Sequence, residues 1–196
     1  GTCKHIEAVL HHIGKRSEPA GKDLSPPVPF VYLAWDGEET VRLQRTAGMP
    51  ADLAEVLDQF FDPQGRIQGQ LPEAFFQFEN AVYGDDRIEV GIDARQGVER
   101  LATKQAQQLR AQQIRQRISA MDGRLPGLTA RLYPFQVEGV AFLAANGRAL
   151  LADDMGLGKT LQAIAAANWL IQESGVRRVL ILCPASLKHQ WAREIE

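Results

Sequence analysis

The chain is poor in cysteine: of its 196 residues only Cys3 and Cys183 are cysteines, and they stand at opposite ends. That gives no disulfide framework and points to a reducing compartment. No apolar run approaches the roughly 20 residues a membrane helix needs, and the N-terminus lacks the basic-then-apolar layout of a signal peptide. No internal repeat is visible. The formal charge is nearly balanced at −2, so the whole composition gives no reason to expect nucleic acid. What the chain does have is apolar content: 45% hydrophobic residues are enough for one large or two small domains with real cores.

The charge balance conceals an asymmetry. Residues 31–93 carry 13 acidic side chains against 4 basic ones, whereas residues 94–131 carry 8 basic against 2 acidic. A basic face in the middle of the chain is therefore allowed, though not required. Read for organisation, residues 1–13 form a short apolar helix with Ile6, Val9, Leu10 and Ile13 at helical spacing. Residues 14–29 turn to Lys, Ser, Gly and Pro and make a linker.

Residues 30–93 read as a small α+β domain. Phe30 to Trp35 and Thr40 to Gln44 form a hairpin through Asp36-Gly37. Pro50 opens a helix whose apolar face is Leu53, Val56, Leu57, Phe60 and Phe61, before Asp62-Pro63 stops it. A second helix covers Pro72 to Asn80, and Arg87 to Ile92 alternates as a strand. Residues 94–128 are a basic, Gln- and Arg-rich helical connector with a thin apolar stripe. It has two readings. It is either a solvated brace, or a DNA track in which Arg110, Arg115 and Arg117 neutralise phosphates.

From residue 129 the pattern becomes alternating helix and strand. A helix runs from Pro134 to Asn146-Gly147, a buried strand covers Ala149 to Ala152, a helix runs from Lys159 to about Glu173, and a second buried strand covers Arg178 to Cys183. This predicts an α/β fold built on a βαβ unit of a parallel sheet.

Between that first strand and its helix lies Asp153-Asp154-Met155-Gly156-Leu157-Gly158-Lys159-Thr160. Glycines at these places let backbone N–H groups turn inward around phosphate oxygens, and the helix N-terminus adds partial positive charge. Lys159 would reach the β and γ phosphates of ATP, and Thr160 would offer its hydroxyl to the bridging Mg²⁺. The generic phosphate loop starts with glycine, and here that position is Asp153.

This segment resembles motif I of the Swi/Snf helicase-like ATPases, in which an acidic residue commonly replaces the first glycine. Leu132 to Val140 resembles the Q motif, and Leu180 to Leu187, with Trp191 and Glu194, resembles motif Ia. The resemblance covers about a third of the chain and implies the start of a RecA-like helicase lobe over residues 129–196. It implies an ATP-dependent translocase on double-stranded DNA, cytoplasmic and nucleoid-associated, acting near nucleoprotein or polymerase complexes and not at a membrane. Gln136 would bind the adenine edge or simply cap its helix; Asp154 to Thr160 would line the nucleotide. Ser186 and Leu187 would lie by the DNA backbone, with a plain helix cap as the alternative for Ser186.

A second resemblance lies at residues 1–13. Cys3 and His5 before an apolar helix look like the closing half of a SWIM zinc finger, a module of bacterial Swi/Snf-type proteins, whose first Cys-x-Cys pair is not present. The family also places an Asp-Glu-x-His motif and a second lobe beyond motif Ia. The expectation is therefore a piece of a longer motor that binds nucleotide weakly and does not turn it over alone. A rival reading is a non-catalytic DNA- or protein-binding adaptor with a degenerate phosphate loop. Gln136 and the Cys-Pro-x-Ser-Leu segment argue against an unrelated P-loop GTPase or kinase.

Overall fold

The computed structural model describes residues 28–195. The short helix and the Cys3–His5 pair expected at the start, and the linker up to residue 27, lie outside the described residues. The chain divides into two compact units, residues 1–96 and residues 97–196.

In the first unit, β1 (Phe30–Trp35) and β2 (Glu39–Gln44) pair antiparallel in the register Phe30↔Gln44 to Trp35↔Glu39. Val31 therefore stands opposite Leu43, and Leu33 opposite Val41, which puts four aliphatic side chains on one face of the hairpin. A third strand, β3 (Glu89–Val90), pairs parallel with β1, giving the order β2-β1-β3. Only two residues of the strand expected over Arg87 to Ile92 join the ladder. The chain leaves it at Gly91 and enters a helix at Ile92, and Asp93 turns its carboxylate back to accept the Leu33 N–H at 2.9 Å.

α1 (Ala51–Asp58) and α2 (Glu73–Ala81) bury Leu53 with Leu57, and Ala74, Phe75 and Phe78. Phe61 packs edge-on against Phe78 at 5.0 Å between ring centroids. Phe60 and Phe61 were expected on the helix. Instead α1 stops at Asp58, and Phe61 forms an antiparallel bridge with Ile67. The cause is the Asp62-Pro63-Gln64-Gly65 turn: Asp62 Oδ1 accepts the Arg66 N–H at 2.7 Å, and Gly65 takes φ +76°. A residue before proline is steered to extended backbone and glycine completes the reversal.

α3 (Ile92–Ala120) is a single helix of 29 residues, most of which belong to the second unit. It ends in a turn with Asp122 at φ +55° and Gly123 at φ +73°. α4 (Pro134–Ala145), α5 (Lys159–Ser174) and α6 (Lys188–Ile195) follow. Ile114 and Ile118 of α3 pack with Val137, Val140 and the alanines of α4, and with Ala165, Ala166 and Trp169 of α5. Small residues on α4 and α5 let the two backbones come close, so Trp169 and the isoleucines fill the space between them.

The parallel sheet expected in this unit is absent among the described residues. Ala149 to Ala152 and Arg178 to Cys183 make no ladder, and the only sheet among the described residues is the three-stranded one of the first unit. A parallel pair is stable only when further strands and helices cover both faces. Here Leu150, Leu180 and Leu182 are 83%, 83% and 87% exposed. Their apolar character expresses a need for burial that a bare pair of strands does not meet. No helix among the described residues is long and apolar enough to cross a membrane.

Candidate functional site

The site is built where the extended segment after α4 turns into α5. Gly156 and Gly158 sit at φ +87° and +73°, and Gly158 is the left-handed N-cap of α5. An L-residue at either place would carry the steric cost of that region. At Gly158 a Cβ would also stand 2.7 Å from Gln136 Nε2. The amides of Met155, Gly156 and Gly158 donate to no protein acceptor among the described residues, while Met155 and Gly156 form a turn. Free N–H groups just before a helix N-terminus are a donor set of the kind that binds anions.

Lys159 opens α5, and its ammonium donates to Asp153 O at 2.8 Å and Asp154 O at 2.9 Å. An ammonium has three donors, so one remains for another acceptor. Thr160 is the next residue and half-buried, with its place on the first turn of α5 beside Lys159. Asp154, Met155 and Leu157 are exposed on the loop, Met155 at 95%. The structure therefore gathers Asp154 to Thr160 into one loop and one helix start.

Gln136 is buried at 5% exposure on the first turn of α4. Its Oε1 accepts the Tyr133 N–H at 3.0 Å, which caps α4, and its Nε2 donates to Leu157 O at 3.3 Å. Both ends of the amide are engaged, so in this structure Gln136 is a cap and a tie to the loop. Ser186 and Leu187 lie in a 3-10 turn, Ala185–Leu187, directly before α6, and both are exposed. Pro184, not Ser186, stands at the cap position of that turn.

One residue escaped the reading of the sequence. Gln162, wholly buried on α5, donates Nε2 to Asp153 Oδ2 at 2.9 Å and to Leu157 O at 3.3 Å. A signal was present: Gln162, Ala165, Ala166 and Trp169 share one helical stripe, and a glutamine on a buried stripe needs polar partners.

The basic connector is tied to these same helices. Arg115 Nη1 donates to both carboxylate oxygens of Glu138 on α4, at 2.9 and 3.0 Å. Arg117 Nη1 donates to Glu173 on α5 at 2.8 Å and its guanidinium lies over the Trp169 ring. Arg110 is exposed, with no ion-pair partner among the described residues. Among the described residues no three His, Cys, Asp or Glu side chains gather as a metal-holding group; Cys3 and His5 lie outside them.

Residues 135–196 match the model of the SNF2-related domain. The chain is 46% identical over 71 residues to a Caenorhabditis elegans homolog of SWI/SNF-related matrix-associated actin-dependent regulator of chromatin subfamily A-like protein 1; the match covers 36% of this chain and 10% of that protein. It is 47% identical over 70 residues to the human DNA annealing helicase and endonuclease ZRANB3, covering 35% of this chain and 6% of the relative. It is 41% identical over 86 residues to the DNA repair protein rhp54 of Schizosaccharomyces pombe, covering 36% and 10%. The chain thus spans about a tenth or less of the length of these curated relatives. No solved structure matches it. The matched segment contains the loop from Asp153 to Thr160 and nearly all of the α4 that Gln136 ties to it.

Proposed function

We propose that residues 129–196 are the nucleotide-binding start of an ATP-dependent translocase on double-stranded DNA. The observation that carries this reading is the set of unpaired amides of Met155, Gly156 and Gly158, ending at the N-terminus of α5 beside Lys159 and Thr160.

The fit to a nucleoside triphosphate follows from the donor set. The amides and the helix N-terminus would take the β-phosphate, and the Lys159 ammonium would turn its free donor to the β and γ oxygens. The Thr160 hydroxyl would hold Mg²⁺, which neutralises charge on those oxygens when bound. Gln136 holds the loop against α4. Ser186 and Leu187, exposed before α6, would face the DNA backbone, where contacts position the protein without reading sequence. Support for DNA as the partner comes from the relatives, which include a DNA annealing helicase and a DNA repair protein.

The test is ATP hydrolysis by the full-length protein with and without duplex DNA. The reading predicts hydrolysis that duplex DNA stimulates and that Lys159→Ala abolishes. Binding of DNA without any hydrolysis would instead identify an adaptor.

A further inference from the structure

Gln162 has a structural oddity that the phosphate-site reading does not use. It is wholly buried, its Nε2 has two partners, and its Oε1 has none. Both neighbours of Nε2, Asp153 Oδ2 and Leu157 O, are acceptors, which settles the end of the amide that is nitrogen. On the other side stands Gly139 of α4, where a Cβ would fall on Gln162 Oε1. The glutamine is thus pressed between α4 and the loop, with one polar atom left unpaired so that the other can reach two places at once. Gln136 Nε2 donates to the same Leu157 carbonyl from α4.

We propose that Gln162 is a positioning residue for the phosphate loop. It ties Asp153, the loop's first residue, to the Leu157 carbonyl near the loop's end. A planar trans peptide points its C=O and N–H in opposite directions. Two side-chain amides holding the Leu157 carbonyl inward therefore turn the Gly158 N–H outward, to the side where a phosphate would sit. This gives the acidic residue at the first position a purpose: a glycine there has no carboxylate for Gln162 to hold. Asp153 and Gln162 act as a matched pair, and Gly139 leaves the room they need. The proposal rests on the loop being a nucleotide site and adds what holds that site in shape.

The experiment is a double-mutant cycle on Gln162→Leu and Asp153→Gly, alone and together, with Gly139→Ala and Asp153→Asn as independent variants. Two quantities are read on the 196-residue chain: affinity for a fluorescent ATP analogue with Mg²⁺, and the Gly158 amide resonance without nucleotide. Gln162→Leu replaces a buried polar group by an apolar one of similar size, and thermal unfolding checks that each variant is folded. The expected result is that Gln162→Leu weakens binding about tenfold, the scale of coupling between residues in contact, and that its effect falls below about threefold once Asp153 is glycine. Asp153→Asn, which keeps an acceptor, binds within about threefold of wild type, and Gly139→Ala, which displaces Gln162, weakens binding as Gln162→Leu does.

Unchanged affinity in Gln162→Leu overturns the proposal. So does a loss equally large with and without Asp153, because a tie that runs through Asp153 must weaken when Asp153 is glycine. If the wild-type chain is folded and binds no nucleotide, the phosphate-site reading fails, yet the resonance still decides. A Gly158 shift on Gln162→Leu that vanishes in the Asp153→Gly background supports the tie, and an unmoved resonance removes it.

Discussion

The guanidinium of Arg117 lies 4.8 Å from the centre of the Trp169 ring. Trp169 belongs to α5, which starts at the Gly156–Gly158 loop, and Arg117 to the basic helix α3, so the contact joins the two. With the Arg117–Glu173 and Arg115–Glu138 pairs, it spends two of the three arginines considered for DNA on contacts inside the unit. The brace is the role these contacts support.

Arg117→Gln should therefore lower the stability of the second unit. A partly exposed cation–π contact contributes about 0.5–1 kcal/mol and an exposed ion pair up to about 1 kcal/mol. Thermal unfolding should show the loss, and the slope of log DNA affinity against log salt should stay as in wild type. A slope reduced by about one unit would return Arg117 to the DNA track.

Gly158→Ala should damage the loop twice, through its left-handed backbone and through the 2.7 Å approach of a Cβ to Gln136 Nε2. The backbone alone costs roughly 1–2 kcal/mol. Calorimetry of unfolding should show at least that, and ATP affinity should fall along with it. A variant as stable as wild type would mean the loop does not hold this shape in solution.

In the first unit, Arg87 bonds to Asp85 at 2.7 Å and to Asp52 at 2.8 Å. The side-chain hydrogen bond from Arg87 comes first among the causes that pull Asp85 down to about 2, and it likewise lowers Asp52. A depressed folded pKa gives stability that is present above the unfolded value of 3.8 and is lost as pH falls through about 2. Arg87→Gln should flatten the acid limb of the stability curve between those values. An unchanged limb would show that these exposed pairs do not form in solution.

Much of the fold was legible because local chemistry decided it. Asp36-Gly37 marked the hairpin, Pro134 the start of α4, and Gly158-Lys159 the start of α5. The failures came where a longer-range need was involved. The apolar runs at 149–152 and 178–183 announce burial, but a run states neither what covers it nor whether a ladder forms. Phe60 and Phe61 kept helical spacing while the Asp62–Arg66 turn pulled Phe61 into a bridge. In the candidate site, the loop residues were legible from their order alone. The cap was one of the two readings of Gln136, but its tie to the loop, and the whole of Gln162, depend on side chains converging from α4 and α5 on Leu157 O, which spacing does not encode.

The central claim is that the loop from Asp153 to Thr160 holds a nucleoside triphosphate. Equilibrium binding of ATP with Mg²⁺ to the wild-type chain and to Lys159→Ala tests it most directly. A hydrogen bond from a charged donor contributes about 1.5–3 kcal/mol, so losing it should weaken binding about ten- to a hundredfold. Saturable binding that falls by that factor in the variant is the predicted result, and equal affinity in the two proteins would contradict it.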